Sequence, residues 1–198
     1  MNHLAHFCLA DHSAAGWMGS YLGEYVKGGL KGRLPQEIEE GILLHRKIDS
    51  YTNYHPIATA SRNRISPARR RYAGIIIDVG YDHFLSKNWS RFCIIGLTAF
   101  TARVYEALLP LGCLLPEQPR RALPRMVREN WLMQWQSLGG VAKTLNRISA
   151  RINRQVTLPG AIEEIQENYD KLEADFLSFF PDLIQYAVRQ KGLLHSAQ

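Results

Sequence analysis

The segment that begins at Ser66-Pro67 constrains the fold most, because an apolar run within it leads directly into acidic groups. Ser66 and Pro67 are residue types that favour a helix N-cap and the first helical position, so we expect one helix from Pro67 to about Ser86. On such a helix Asp78 and Asp82 lie four residues apart and share a face. That face continues an apolar stripe, so the sequence predicts two carboxylates turned towards a protein interior.

Two acids on the buried side of a helix are costly unless they are protonated, paired with a base or bound to a cation. Asp78, Asp82 and the adjacent His83 would offer oxygen and nitrogen ligands to a metal ion. A salt bridge to Arg70 or Arg71, which precede them on the same segment, would neutralise a carboxylate equally well. The segment alone therefore indicates either a metal site or a buried ion pair.

A second polar cluster lies on the helix that Pro35 is expected to open. His45 and Asp49 are four residues apart on its apolar stripe. Asn53 lies one helical turn further along, and His55 follows after the end of the helix. A single His–Asp pair is commonly structural, with the carboxylate fixing the tautomer of a core histidine. Two helices that each bring imidazole and carboxylate groups to an apolar face are instead typical of metal sites in bundle cores.

Other candidate ligands lie near the N-terminus. A helix is expected from about Ser13 to Lys27, and Glu24 continues an aromatic stripe on it. Glu24 could therefore be a third metal ligand or a solvated acid near the end of the helix. His3 and His6 are three residues apart and could bind a metal ion. The alternative for both is a role in packing or at the surface. Carboxylates and imidazoles without thiolates suit Mn²⁺, Fe²⁺, Mg²⁺ or Zn²⁺, and a carboxylate-rich set favours Mn²⁺ or Mg²⁺.

Helical periodicity extends over nearly the whole chain and strand-like alternation is absent, so we predict an all-α fold. The 198 residues contain no repeat and no long linker, which favours a single domain over 1–198 with roughly seven to nine helices. Glycines 16, 19 and 23 weaken the first helix but permit close backbone approach. The other expected features are a helix from Pro35 to about 53, a helix over 97–109, a connection over 111–121, a helix start at Pro124, a break at Gly139-Gly140, a helix over 141–152 and helices over 161–180 and 182–191 on either side of Pro181.

The formal net charge of +6 favours an acidic partner, which could be nucleic acid, an anionic surface or a protein. Arginine makes bidentate contacts with carboxylate and phosphate, although a solvated charged face is the simpler interpretation. Stacking aromatics are sparse between the arginines, so we expect no nucleic-acid partner. The arginine runs lie at 62–71, 120–128 and 147–154.

The remaining composition indicates the compartment. No apolar run reaches the length of a membrane span, so no membrane partner is expected, and the N-terminal residues lack the pattern of a signal peptide. Cys8, Cys93 and Cys113 are odd in number and have no metal-like spacing. We therefore expect reduced thiols in a cytoplasmic protein.

The two polar clusters lie in stretches that match a known family. Gly41–Pro56 and Arg70–Trp89 are the specific matches, and they resemble the acyl carrier protein phosphodiesterases, an all-helical group related to HD-type metal phosphohydrolases. Weaker matches are Met1–His6, Gly23–Gly28, the Trp131-Leu132 region and the stretch from Tyr169 to Pro181.

The resemblance implies hydrolysis of the phosphodiester that links 4′-phosphopantetheine to the serine of holo-acyl carrier protein, giving the apo-protein and free 4′-phosphopantetheine. It implies a divalent metal, typically Mn²⁺, and metal-activated water that attacks phosphorus while the serine alkoxide leaves. The basic surface suits an acidic carrier protein. The implied catalytic set is His45, Asp49, Asp78, Asp82 and His83; the metal set is Glu24, His45, Asp78, Asp82 and His83; Arg46, Arg70 and Arg71 are expected to bind phosphate or partner; His6, Asn53 and His55 are further candidates.

The chain departs from the family pattern at three points. Glu24 stands where Asp is common, Asn53 follows Thr52 where the family often has Thr-Asp, and Asp82-His83 reverses the His-Asp order of typical HD enzymes. Two other functions are therefore kept: an HD-like phosphohydrolase of a small phosphoester or nucleotide, and a non-catalytic module that binds acyl carrier protein.

Overall fold

The computed structural model describes residues 1–30, 32–152, 158 and 160–196, with the backbone alone at 113, 114, 151, 152 and 195. All regular secondary structure in these residues is helical, so the fold is all-α. None of the described helices is long and apolar enough to cross a membrane. The α-helices are α1 His3–Leu9, α2 Ala14–Gly23, α3 Gln36–Tyr54, α4 Pro56–Asn63, α5 Ala73–Lys87, α6 Leu97–Leu108, α7 Glu117–Arg128, α8 Trp131–Gln134, α9 Leu138–Ile152, α10 Ala161–Glu167 and α11 Tyr169–Ser196, with 3₁₀ turns at Pro67–Tyr72, Trp89–Arg91 and Leu109–Leu114.

Several predicted boundaries are confirmed. The Ser13 side chain accepts a hydrogen bond from the Gly16 amide at 3.0 Å and so caps α2, although α2 ends at Gly23 and not near Lys27. Pro35 precedes α3, which runs to Tyr54 and stops before the His55-Pro56 pair. These boundaries were predictable because local residue types set them.

The predicted helix count is too low, since the described residues contain eleven α-helices. Four of them, α1, α4, α8 and α10, have eight residues or fewer, which is too short for an apolar period to be recognised. The predicted helix from Pro67 to Ser86 is divided at Ala73, with a 3₁₀ turn before α5. Ser66 does not cap it, because the Ser66 hydroxyl and amide donate instead to Glu164.

Three predicted helix boundaries are wrong. Pro124 lies inside α7, and Pro181 lies inside the long α11. Gly139-Gly140 belongs to the first turn of α9 and does not interrupt a helix. A Cβ on Gly140 would come to 1.8 Å from the Gln134 carbonyl oxygen, so the glycine is required by close packing between α8 and α9.

Helices α2 and α3 pack at unusually close range because glycines face each other where they cross. A Cβ built on Gly19 would lie 2.4 Å from the Ile38 carbonyl oxygen and 2.6 Å from the Gly41 Cα. One turn further along α2, a Cβ on Gly23 would overlap the His45 ring at 2.3 Å. The crossing therefore brings the C-terminal end of α2, with Glu24, against His45.

Helix α5 lies at the centre of the bundle and contacts α1, α4, α9, α10 and α11. Aromatic rings join it to α11: Tyr81 and Phe84 lie 5.4 and 6.2 Å from Phe176, measured between ring centroids. Edge-to-face and tilted packing of such rings stabilises a core beyond the burial of their area. This core holds α5 fixed while its other face meets α1.

We predict that Gly19→Ala lowers the free energy of unfolding by about 1–3 kcal/mol, because the added methyl group overlaps the backbone of α3. The matched control is Gly192→Ala, at a helical position with no atom within 4 Å of the added Cβ. It should leave stability unchanged or raise it by up to about 1 kcal/mol. Urea denaturation of both variants measures the difference, and equal stabilities would contradict the close crossing.

Candidate functional site

Asp82 positions the first helix of the site. Its carboxylate is buried and accepts hydrogen bonds from the amides of Leu4, at 2.8 Å, and Ala5, at 3.3 Å. Free N–H groups at a helix N-terminus favour a carboxylate, so Asp82 caps α1 from a distant helix. Burial raises the pKa of the Asp82 carboxyl to about 7, although the Met1 ammonium and the α1 amides favour its charged form.

The centre of the site is formed by His6, His45 and Asp49, whose ligand atoms all lie within 4.8 Å of one another. The Nε2 atom of His6 lies 3.0 Å from Asp49 Oδ1, and the Nε2 atom of His45 lies 3.3 Å from Asp49 Oδ2. The two imidazole rings are stacked, with centroids 3.6 Å apart. Helix α1 provides one imidazole, while α3 provides the other imidazole and the carboxylate.

The protonation states of this group suit ligand binding. Burial, followed by repulsion from His45, lowers the pKa of His6 to about 4. Burial alone would raise the pKa of Asp49, but the neighbouring histidines and the Met1 ammonium hold it well below its usual range. At neutral pH His6 is therefore uncharged and Asp49 ionised, the forms in which imidazole and carboxylate bind metals.

Two imidazole nitrogens and a carboxylate oxygen form a donor set that suits a divalent transition metal such as Mn²⁺, Fe²⁺ or Zn²⁺. The Asp49 side chain is 42% exposed, so the group is accessible although both histidines are buried. The Met1 ammonium lies 2.9 Å from Asp78 Oδ1 and 3.6 Å from Asp49 Oδ1, so a positive charge already occupies the space between these acids. These residues therefore fit a bound cation.

A cleft of about 980 Å³ opens beside this group. Met1, Glu24 and Asp78 lie in its lining. The Met1 ammonium contacts both Asp78 and Asp49, so the acidic end of the cleft is next to Asp49. Clefts of this size take cofactor-sized or drug-sized ligands. Trp131 contributes apolar surface to the same cleft.

The two acids in the lining differ in their electrostatic surroundings. Burial raises the pKa of Asp78 above its ordinary value, and the Met1 ammonium only partly offsets this. Burial alone would raise the pKa of Glu24, but the nearby imidazoles of His3, His45 and His6 lower its pKa overall. Glu24 is thus held as a carboxylate facing the histidines, whereas Asp78 retains its proton more readily.

His83 is not brought to the histidine–aspartate group. Its Nδ1 lies 2.6 Å from the Trp135 carbonyl oxygen and its Nε2 lies 2.9 Å from the Tyr169 hydroxyl. Successive helical residues point about 100° apart, so His83 faces α8 and α11 while Asp82 faces α1. Both residues therefore have hydrogen-bond partners within the protein, and their predicted role as metal ligands stays a prediction.

The other predicted residues also lie elsewhere. His55 caps α4, accepting from the Ile57 amide at 3.3 Å, and lies 3.6 Å from Asp182. Asn53 is exposed, and its carbonyl accepts a hydrogen bond from Arg62 at 2.6 Å.

The three arginines expected to bind phosphate or partner lie outside the cleft lining. Arg46 donates to the carbonyls of Val26 and Gly28, so it fastens the loop that follows Glu24. Arg70 donates to Asn63, and Arg71 lies 5.8 Å from the Tyr72 ring centroid. The arginines in the lining are instead Arg121, Arg125 and Arg147.

Sequence reasoning underestimated His6 and passed over these lining arginines. The approach of α1 to α3 depends on Asp82, which is 77 and 78 residues from the amides that it caps, so no local pattern reveals it. The arginine runs were visible in the sequence, but only the packing of α7 and α9 shows which of them face the cleft. Of the run at 147–154, Arg154 lies outside the described residues.

A family model described as acyl carrier protein phosphodiesterase matches residues 1–183. The chain belongs to the acyl carrier protein phosphodiesterase family. Family members of that name include a protein of Photorhabdus laumondii, 30% identical over 188 residues that cover 94% of this chain and 95% of the relative. One of Serratia proteamaculans is 31% identical, covering 94% and 97%, and one of Escherichia coli is 30% identical, covering 96% and 99%. No solved structure matches the chain significantly.

We predict that His45→Ala lowers the affinity for Mn²⁺ by about 100-fold or more, because loss of a ligand exceeds the loss of a supporting contact. His12→Ala is the matched control, since His12 is exposed, its Nε2 donates to the Cys8 carbonyl at 3.0 Å, and it is not part of the group formed by His6, His45 and Asp49. Titration calorimetry with Mn²⁺ measures both. Equal affinities of His45→Ala and wild type would show that the cation lies elsewhere.

We predict that Asp82→Ala lowers the free energy of unfolding by about 2 kcal/mol, because two buried amides lose their acceptor. Hydrogen exchange at the Leu4 and Ala5 amides should accelerate relative to the rest of the chain. Asp82→Asn, which keeps one acceptor oxygen, should lose less. Unchanged exchange at both amides in Asp82→Ala would rule out this capping role.

Proposed function

We propose that this protein hydrolyses the phosphodiester between 4′-phosphopantetheine and the serine of holo-acyl carrier protein, releasing the apo-protein and 4′-phosphopantetheine. The observation that supports this function best is a cation-binding group beside a cleft large enough for the prosthetic arm. His6, His45 and Asp49 form that group, and Glu24 and Asp78 continue it into the cleft. The names of the relatives agree with this reaction.

The proposal extends to the architecture and the cofactor. Residues 1–198 act as one domain of the HD-like type, in which His6, His45 and Asp49 hold one divalent ion. Mn²⁺ is the proposed ion, with Mg²⁺, Fe²⁺ or Zn²⁺ as substitutes, because the donor set mixes imidazole with carboxylate. When bound, such an ion supplies a Lewis acid that lowers the pKa of water and neutralises phosphate charge.

Asp78 is proposed to move the proton that the reaction requires. The serine Oγ leaves as a poor, basic leaving group unless it is protonated as its bond to phosphorus breaks. Asp78 lines the cleft, and burial raises the pKa of its carboxyl, so it can carry a proton to that oxygen. The attacking water loses one proton to solvent and Asp78 regains one from solvent, so that the protons balance over the turnover.

Glu24 is proposed to keep the histidines oriented towards the reaction centre. Its carboxylate is held in the charged form by His3, His45 and His6, so it attracts any positive charge that develops on their rings. Gly23, which permits the contact with His45, fixes the distance between α2 and α3 at this point.

The proposed substrate also implies the compartment. Acyl carrier protein places the reaction in the cytoplasm, where thiols stay reduced. The sulfur atoms of Cys8 and Cys93 lie 3.3 Å apart, the distance of a hydrogen bond between two thiols. No nucleic acid or membrane is required for the reaction.

The mass spectrum of holo-acyl carrier protein, incubated with this protein and Mn²⁺, tests the reaction. Loss of the phosphopantetheine mass with Mn²⁺, and retention of it with a chelator, is the expected result. Release of inorganic phosphate from nucleotides without change to the carrier would favour the small-phosphoester hydrolase. Carrier binding without any mass change would favour the non-catalytic module.

We predict that Asp78→Asn lowers kcat about 10²- to 10⁴-fold, the usual contribution of a positioned acid. Asp170→Asn, at an exposed position in the first turn of α11, is the control and should retain activity. Single-turnover rates on holo-acyl carrier protein separate this chemical step from binding. A variant at position 78 with wild-type kcat would remove Asp78 from the mechanism.

A further inference from the structure

The lining of the cleft changes from acidic to basic between its two sets of helices. Glu24 and Asp78 lie at the part formed by α2 and α5, whereas Arg121, Arg125 and Arg147 come from α7 and α9. A charged group that enters the cleft therefore passes arginines as well as the acidic reaction centre. This charge distribution therefore acts on the protein that carries the scissile bond as well as on the bond itself.

Two of the arginines are exposed at the surface, where a partner protein can contact them. The side chains of Arg121 and Arg125 are 79% and 56% exposed. Each pairs within its own helical region, Arg121 with Glu117 at 2.5 Å and Arg125 with Glu129 at 2.7 Å. Exposed pairs of this kind contribute little to stability, so a partner's carboxylates can replace Glu117 and Glu129 as the partners of these arginines.

The helix that carries them is held in place. The buried Tyr21 hydroxyl donates to the Pro119 carbonyl at 2.8 Å, which fixes α7 to α2 close to the reaction centre. Arg120 and Arg128 are exposed on the same helix. Helix α7 thus presents a rigid arginine-rich surface at the edge of the cleft, and its position relative to α2 is set by a buried hydrogen bond.

The third arginine is restrained in a different way. The Arg147 guanidinium lies 3.8 Å from the centroid of the Trp131 ring, and its Nη2 donates to Thr144 at 3.1 Å. Stacking on an indole holds a guanidinium in one orientation without removing its charge. Arg147 therefore belongs to the inner lining, whereas Arg121 and Arg125 belong to the exposed edge.

We propose that Arg121 and Arg125 dock the acyl carrier protein by pairing with carboxylates next to its modified serine, so that the phosphopantetheine arm enters the cleft. The inference rests on the proposed function, because it assumes the carrier protein as substrate. It assigns partner binding to residues other than Arg46, Arg70 and Arg71, which lie outside the cleft lining. Electrostatic docking of this kind sets association rate and specificity more than the rate of the chemical step.

The test compares two substrates that share the scissile bond: holo-acyl carrier protein and a serine peptide that carries the same phosphopantetheine group. In the Arg121→Glu/Arg125→Glu variant, we expect KM for the carrier to rise about tenfold or more while kcat changes less than about twofold. KM for the peptide should rise less than KM for the carrier, because the peptide lacks the carrier's carboxylates, and circular dichroism checks that the variant is folded. The salt dependence of kcat/KM for the carrier should weaken in the variant.

The control is Arg91→Glu/Arg103→Glu, which makes the same change in net charge at exposed positions outside the cleft lining. It should leave KM for the carrier near the wild-type value. If both double variants raise KM equally, net charge and not docking is responsible, and the proposal is wrong. The milder Arg121→Gln/Arg125→Gln variant avoids new repulsion with Glu117 and Glu129 and should show the same direction of change.

Calorimetric binding of apo-acyl carrier protein separates this docking surface from the proposed reaction. Weaker binding in Arg121→Glu/Arg125→Glu supports docking even if wild-type protein cleaves neither substrate, an outcome that would refute only the proposed function. Wild-type affinity of that variant for the carrier would overturn the docking surface while leaving the reaction intact.

Discussion

The Asp49 carboxylate is the contact on which the site depends, because it holds two buried imidazoles that come from different helices. His6 lies on α1 and His45 on α3, and each directs its Nε2 to one oxygen of Asp49. Without a negative charge or a cation between them, the two stacked imidazole rings would gain little stabilisation from being adjacent. Burial keeps His6 uncharged, and the adjacent imidazoles and the Met1 ammonium lower the pKa of Asp49 and keep it ionised, so the group can bind a cation without first losing protons.

Two packing features bring these groups together. The glycine crossing of α2 and α3 sets Glu24 beside His45, since a single methyl group at position 19 or 23 would separate the helices. The buried Asp82 carboxylate anchors the N-terminus of α1 on α5, and so determines where His6 lies. Precise distances at a reaction centre require such rigid support, and here they come from backbone contact and a helix cap.

The sequence was sufficient for the fold class and for part of the site. The His45–Asp49 spacing predicted a shared helical face, and Asp78, an acid in an apolar segment, lies in the lining of the cleft. It misplaced His83, because adjacent residues on α5 face different helices, and it undervalued His6, whose position depends on contacts nearly 80 residues away. Pro124 was predicted to start a helix and Gly140 to break one, but both lie inside helices, and at Gly140 close packing between α8 and α9 overrides the local propensity.

Pulsed electron paramagnetic resonance of Mn²⁺ bound to this protein tests the central claim most directly, because it detects the nitrogen nuclei that coordinate the ion. The account predicts couplings to two imidazole nitrogens in the wild-type protein, reduced to one in His6→Ala and in His45→Ala. Bound Mn²⁺ without nitrogen coupling, or couplings that persist unchanged in both variants, would contradict the assignment of His6, His45 and Asp49 as the cation site.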